Sequence, residues 1–164
     1  MKNRLFLVGI LTACLYVSCI GNKVSFTPQQ KTNVLAEVQL MAETIAKNVS
    51  AEGPTAWLNG FENTPDFFMA SDGQLAFPNY DSATDFINNN LTKSISKIEL
   101  QWSNMRIDPI SDEFATFSAI FHEDITDSTG QKLSQNGYFT ATAHKTVQGW
   151  KLRNAHWSSI PAHQ

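Results

Sequence analysis

The side chains best suited to chemistry lie in residues 136–159, where two β-prone runs flank a Val147-Gln148-Gly149 turn. Side chains in a strand alternate sides, so Trp150, Leu152, Asn154 and His156 are expected to share one face of the second run. Such a face is apolar at one end and polar at the other, which suits the wall of a pocket. An imidazole at its rim could act as a general base or hold a ligand by a hydrogen bond, with Asn154 or Tyr80 assisting. The same position also suits a hydrogen-bonded histidine with no chemical duty. His122, beside Glu123 and Asp124, reads as a solvated strand end; His144 alternates with Tyr138, Thr140 and Thr142 on an outer face, and His163 is in the tail.

Other chemistries lack their residues. No His-x-His or His-Glu-x-x-His spacing occurs, so no metal site is expected. There is no Gly-x-Ser-x-Gly elbow and no glycine-rich phosphate loop, and no cofactor is expected. Ser71-Asp72-Gly73 has the composition of a tight, solvated turn. Trp57, Phe61, Phe68, Trp102, Phe117 and Phe139 are the rings expected to line a pocket, or equally to fill a core.

Positioning these groups requires a small set of elements. Thr27, Pro28 and Gln30 form a helix-start signal, followed by Val34, Val38, Met41, Ile45 and Val49 at helical spacing, with Leu35 and Ala42 widening the stripe. Gly53-Pro54 ends that helix, and Trp57, Leu58 and Phe61 suggest a second, short one. Residues 66–70 and 75–77 read as a strand hairpin. Asp81 to Thr84 has the chemistry of a third helix start, with Phe86, Ile87 and Leu91 on its apolar side. From Ser94 onward the pattern is strands: Ile98, Leu100 and Trp102 alternate with polar residues, and residues 114–123 are apolar on both faces, as in a central strand. Helices followed by a long antiparallel sheet indicate an α+β domain.

The 164 residues, 42% hydrophobic and 11% aromatic, suffice for one domain with a sizeable core. A net charge of −3 and the lack of a Lys/Arg cluster argue against nucleic acid as a partner. Residues 1–18 begin with Lys2 and Arg4 and continue into a short apolar run, as in a secretory signal peptide. Both cysteines, Cys14 and Cys19, fall at its end, which argues against a disulfide framework. The segment resembles a bacterial lipoprotein signal. The residues before Cys14 fit the pattern more strictly, but polar Gly21-Asn22-Lys23 after Cys19 favours Cys19 as the lipidated residue. That reading implies a bacterial cell-envelope protein, anchored to the membrane by lipid outside the cytoplasm, with residues 19–27 as linker and 28–160 as the domain.

The order of elements, with Phe67-Phe68-Met69-Ala70-Ser71-Asp72-Gly73 before the third helix and Gly149-Trp150-Lys151-Leu152 leading to His156-Trp157-Ser158, resembles the nuclear transport factor 2-like superfamily in its SnoaL-like branch. The resemblance implies a cone: a curved antiparallel sheet wrapped around three N-terminal helices, open at one end onto a pocket. Ketosteroid isomerase, a catalyst of this fold, uses a Tyr, a carboxylate base and a protonated Asp. Here the corresponding positions hold Ala42 or Ile45, Asp72 in its turn, and Ala141. The leading expectation is therefore a binder of a small apolar or aromatic ligand, or of a protein, without catalysis. The alternatives are an isomerase, dehydratase or hydrolase using His156, and a structural module dimerising through an outer sheet face of Tyr138, Thr140, Thr142, Arg153 and Trp157.

Overall fold

The first helix, α1 (Pro28–Glu52), starts where its capping chemistry dictates. The Thr27 hydroxyl accepts from the Gln30 N–H at 3.2 Å, and the Gln30 side chain accepts from the Thr27 N–H at 2.9 Å, so two otherwise orphaned donors are satisfied. Val34, Val38, Met41, Ala42, Ile45 and Val49 form its buried stripe, whereas Leu35 lies outside it, partly exposed. Gly53, at φ 83°, ends the helix in a conformation that L side chains resist. A 3₁₀ turn (Pro54–Ala56) and one helical turn, α2 (Trp57–Gly60), follow. Gly60 lets this turn pack closely on α1, since a Cβ there would lie 2.8 Å from Ile45 Cδ1 and the Ile45 side chain would have to shift.

A hairpin, β1 (Phe68–Ser71) and β2 (Gln74–Phe77), turns through Asp72 and Gly73. Both have positive φ, 47° and 82°, as a two-residue hairpin turn requires. The third helix starts two residues before the expected signal: Asn79 caps α3 (Tyr80–Phe86), accepting from the Ser82 N–H at 2.8 Å. It continues as a π turn over Ile87–Leu91 and a last helical turn, α4 (Thr92–Ser94). Four long strands complete the domain: β3 (Ile95–Pro109), β4 (Phe114–Asp127), β5 (Lys132–Thr146) and β6 (Gly149–Ser159).

The computed structural model describes residues 26–160; the expected signal segment, with Cys14 and Cys19, and His163 lie outside them. The six strands form one curled, unclosed sheet in the order β2-β1-β6-β5-β4-β3. All neighbours are antiparallel except β1 and β6, which run parallel, so the sheet is mixed at one junction. The concave face holds the core against α1. There the Trp102 indole donates to the Ala42 carbonyl at 3.0 Å, tying β3 to the helix.

One irregularity decides which side chains face inward. Between β5 and β6, Ala143 pairs with Leu152 and Thr142 with Asn154, leaving Arg153 as an extra, bulged residue. Trp150 and Leu152 face the core before the bulge; Ala155 and Trp157 face it afterward. Asn154 and His156 are thereby turned to the convex side, correcting the expectation that they share a face with Trp150 and Leu152. Arg153 reaches Asp66 and approaches Glu62 at 3.6 Å, so the bulge is held by carboxylates from the segment between α2 and β1.

Candidate functional site

A cavity of about 450 Å³ opens at one end of the concave face, between the hairpin, the third helix and the sheet. Its walls are mainly apolar: Trp57, Phe77, Phe86, Ile87, Ile98 and Trp157 line it, among others. The π turn places Ile87 and Leu91 on this wall, where a widened turn brings both inward; such turns recur at functional sites. Trp157 is held edge-on to Trp57 at 5.6 Å and packed at 4.0 Å on Phe121, so the cavity floor is rigid aromatic packing.

The polar groups in this wall are Ser71, Asp72, Glu123, Gln135 and Ser159, and among the described residues no Lys, Arg or His lines it. Glu123 is the informative one. It continues the inward row Ala115, Phe117, Ala119, Phe121 of β4, and only 4% of it is exposed. Gln135, directly opposite on β5, donates from Nε2 to Glu123 Oε2 at 2.6 Å. Among the described residues, Glu123 Oε1 has no hydrogen-bond partner. Burial in this apolar wall pushes the carboxyl up from 4.5 to about 7, against the opposing pull of Gln135 and the His122 charge.

Asp72 stands at the mouth. Its Oδ1 accepts from the Ser159 N–H at 2.8 Å, and its own N–H donates to the Trp157 carbonyl at 3.0 Å. These bonds dock the hairpin turn onto the end of β6, so Asp72 positions the pocket rim as well as facing it. The turn is therefore tied down, not merely solvated.

The structure sorts the expected pocket residues into four groups. Trp57 and Phe61 line the cavity. Trp102, Phe117 and Phe139 face inward but belong to the core beneath α1, where their rings pack together within 6 Å. Tyr80 packs edge-on to Phe67 and directs its hydroxyl to the Leu58 carbonyl at 3.5 Å, away from the cavity. Phe68, Asn154 and His156 lie instead around a recess on the convex face, with Thr116, Ser118 and Thr140. His156 is exposed there, with no titratable partner in hydrogen-bond reach among the described residues, so it is not positioned to act as a base in the cavity.

The remaining histidines also have structural settings. His122, on the outer side of β4, contacts Asn136 at 2.8 Å and Asp124 at 3.3 Å, and both raise its pKa. His144 stacks on Phe114 at 4.4 Å and meets Glu62 at 3.0 Å. Tyr138, Thr140 and Thr142 occupy the outer face as expected, but Trp157 is buried in the core and cannot anchor an interface there. Among the described residues no cluster of His, Cys, Asp and Glu could hold a metal ion.

Glu123 and Gln135 were not anticipated as site residues. The available signal was parity: a carboxylate occupying the next inward position after four alternating apolar residues.

No family model and no curated protein matches the chain. Solved structures do. A nuclear transport factor 2-like superfamily protein from Salmonella enterica serovar Typhimurium superposes with a TM-score of 0.68 at 17% identity, covering 81% of this chain and 95% of its own. A candidate scytalone dehydratase from Novosphingobium aromaticivorans gives 0.71 at 12% identity, over 84% and 93%. The hexachlorocyclohexane dehydrochlorinase LinA-type3 from Novosphingobium barchaimii gives 0.63 at 11%, over 84% and 97%. At these identities the likeness is one of architecture: the chain has the cone fold of nuclear transport factor 2-like proteins.

Proposed function

We propose that the chain binds a small apolar or aromatic molecule in the concave cavity, with Glu123 as the polar group that fixes its orientation. The observation that carries this reading is a buried carboxylate with one unengaged oxygen in an otherwise apolar wall. A cavity of about 450 Å³ falls within the range of small-molecule sites, which pair apolar lining with a few placed polar groups. A thermal-shift screen of aromatic and alicyclic compounds tests it. Ligands should raise the melting temperature of the wild type but not of Ala76→Trp, which puts an indole into the cavity mouth from an exposed position. Stabilisation that survives this substitution would place binding elsewhere.

A second reading is proton transfer. A carboxyl poised near 7 is matched to general acid–base work at neutral pH. Relatives in fold described as a dehydratase and a dehydrochlorinase fit such chemistry. On this reading the base is Glu123, in place of His156. The leader adds a location: we propose that Cys19 carries a lipid anchor in a bacterial envelope, with the cavity outside the cytoplasm.

A further inference from the structure

We propose that the cavity selects a ligand bearing a positively charged amino or ammonium group on an apolar or aromatic body. This rests on the ligand-binding reading above and adds the charge of the ligand. One N–H of the Gln135 amide is committed to Glu123 Oε2, and the Ser159 backbone N–H to Asp72 Oδ1. The groups left for a ligand are the second Gln135 N–H and the Ser159 hydroxyl, both neutral, and two carboxylate oxygens. The latter are Glu123 Oε1 in the wall and the outer oxygen of Asp72 at the mouth, which has only a long 3.4 Å contact with Ser71 Oγ. The charged groups among them are therefore all acceptors.

Charge points the same way. Two carboxylates line the cavity and, among the described residues, no cationic side chain does, so a carboxylate or phosphate ligand would enter without a counter-ion. An ammonium group would supply one. The aromatic lining supplies the rest, because Trp57, Phe61, Phe77, Phe86 and Trp157 offer ring faces and edges, and a cation is attracted to a ring face, most strongly that of Trp. An ammonium beside Glu123 would also favour the ionised carboxylate that burial disfavours, so ligand and site stabilise each other's charge.

Matched probes test this: phenethylamine, phenethyl alcohol and phenylacetate, titrated calorimetrically into the purified full-length protein at low salt. The amine should bind at least about tenfold tighter than the alcohol, the margin expected for a charge-assisted hydrogen bond with cation–π support. Phenylacetate should bind more weakly than either. Glu123→Gln, which keeps a side-chain oxygen for Gln135, should cost the amine at least about tenfold in affinity and the alcohol less, so that the amine's advantage over the alcohol disappears. Near-UV circular dichroism verifies the fold of this variant, and Ala76→Trp provides an independent block of the cavity. An alcohol that binds as tightly as the amine would overturn the charge preference and leave the ligand-binding reading standing. An amine preference that survives both substitutions would overturn its assignment to this site. If none of the probes binds and the thermal-shift screen finds no ligand, both readings fail together.

Discussion

Replacing Glu123 by Gln should stabilise the protein, and by an amount that depends on pH. Burial raises the carboxyl from 4.5 to about 7 in the folded chain. The native state therefore holds this proton more tightly than the unfolded state does. Well below pH 4.5 the group is protonated in both states and costs nothing. Between 4.5 and about 7 the unfolded chain ionises while the native chain keeps its proton, so stability is lost across that interval. Above about 7 both states are ionised and the loss stays constant. At about 1.4 kcal/mol per pH unit, the interval from 4.5 to about 7 amounts to roughly 3 kcal/mol. Set against a typical domain stability of roughly 5–15 kcal/mol, that is large enough to measure. The substituted amide would be isosteric, uncharged and still able to accept from Gln135. Urea denaturation of both proteins at about pH 5 and about pH 8 gives the difference directly, and cancels most contributions from groups left unchanged. The variant's advantage should grow by roughly 2–3 kcal/mol between those conditions. An advantage that stays flat with pH would show that Glu123 is hydrated or paired in solution, and would remove the basis for its role in the cavity.

Two further outcomes follow from the same geometry and one from the sequence of the N-terminal segment. Gly137→Ala should destabilise by about 3 kcal/mol in chemical denaturation, because a Cβ there would lie 2.1 Å from the Ser158 carbonyl oxygen and 2.4 Å from the Phe121 ring. His156→Ala should leave ligand-induced thermal shifts unchanged, since the β6 bulge turns that imidazole to the convex face; a lost shift would mean that the ligand sits outside. Cys19→Ala should abolish palmitate labelling in a bacterial host while Cys14→Ala retains it, and labelling that survives both changes would refute the lipid anchor.

Local signals in the sequence were reliable wherever partners are close along the chain. The Thr27–Gln30 capping box, the stripe from Val34 to Val49 and the Gly53 stop all appear at their expected positions. The inward parity of Ile98, Leu100 and Trp102 is legible too, because one face of a half-buried sheet must be apolar, whereas residues 114–123, which read as apolar on both faces, alternate between buried and more open positions. Which of the expected rings line a pocket is not legible, since that depends on where α1 covers the sheet. The face of β6 was misread for a different reason. A single extra residue exchanges the two sides of a strand, and nothing local in Leu152-Arg153-Asn154 marks it. The partners of Arg153, Glu62 and Asp66, lie far back in the chain. The parallel β1–β6 junction is equally nonlocal. Glu123 was overlooked because a carboxylate is rarely buried, so its place in an inward row was less persuasive than its neighbours His122 and Asp124.

The four tryptophan indoles provide the most direct test of where a ligand sits. Trp57 and Trp157 line the cavity; the Trp102 indole donates to the Ala42 carbonyl beneath α1, and the Trp150 indole to Glu37 at 2.7 Å near the other end of β6. In a proton–nitrogen correlation spectrum followed during titration with phenethylamine, the indole N–H signals of Trp57 and Trp157 should move together and saturate, with those of Trp102 and Trp150 nearly still. Movement of Trp150 alone, or of convex-face amides around Thr140 and His156 with the Trp57 and Trp157 indoles unmoved, would contradict binding in the concave cavity.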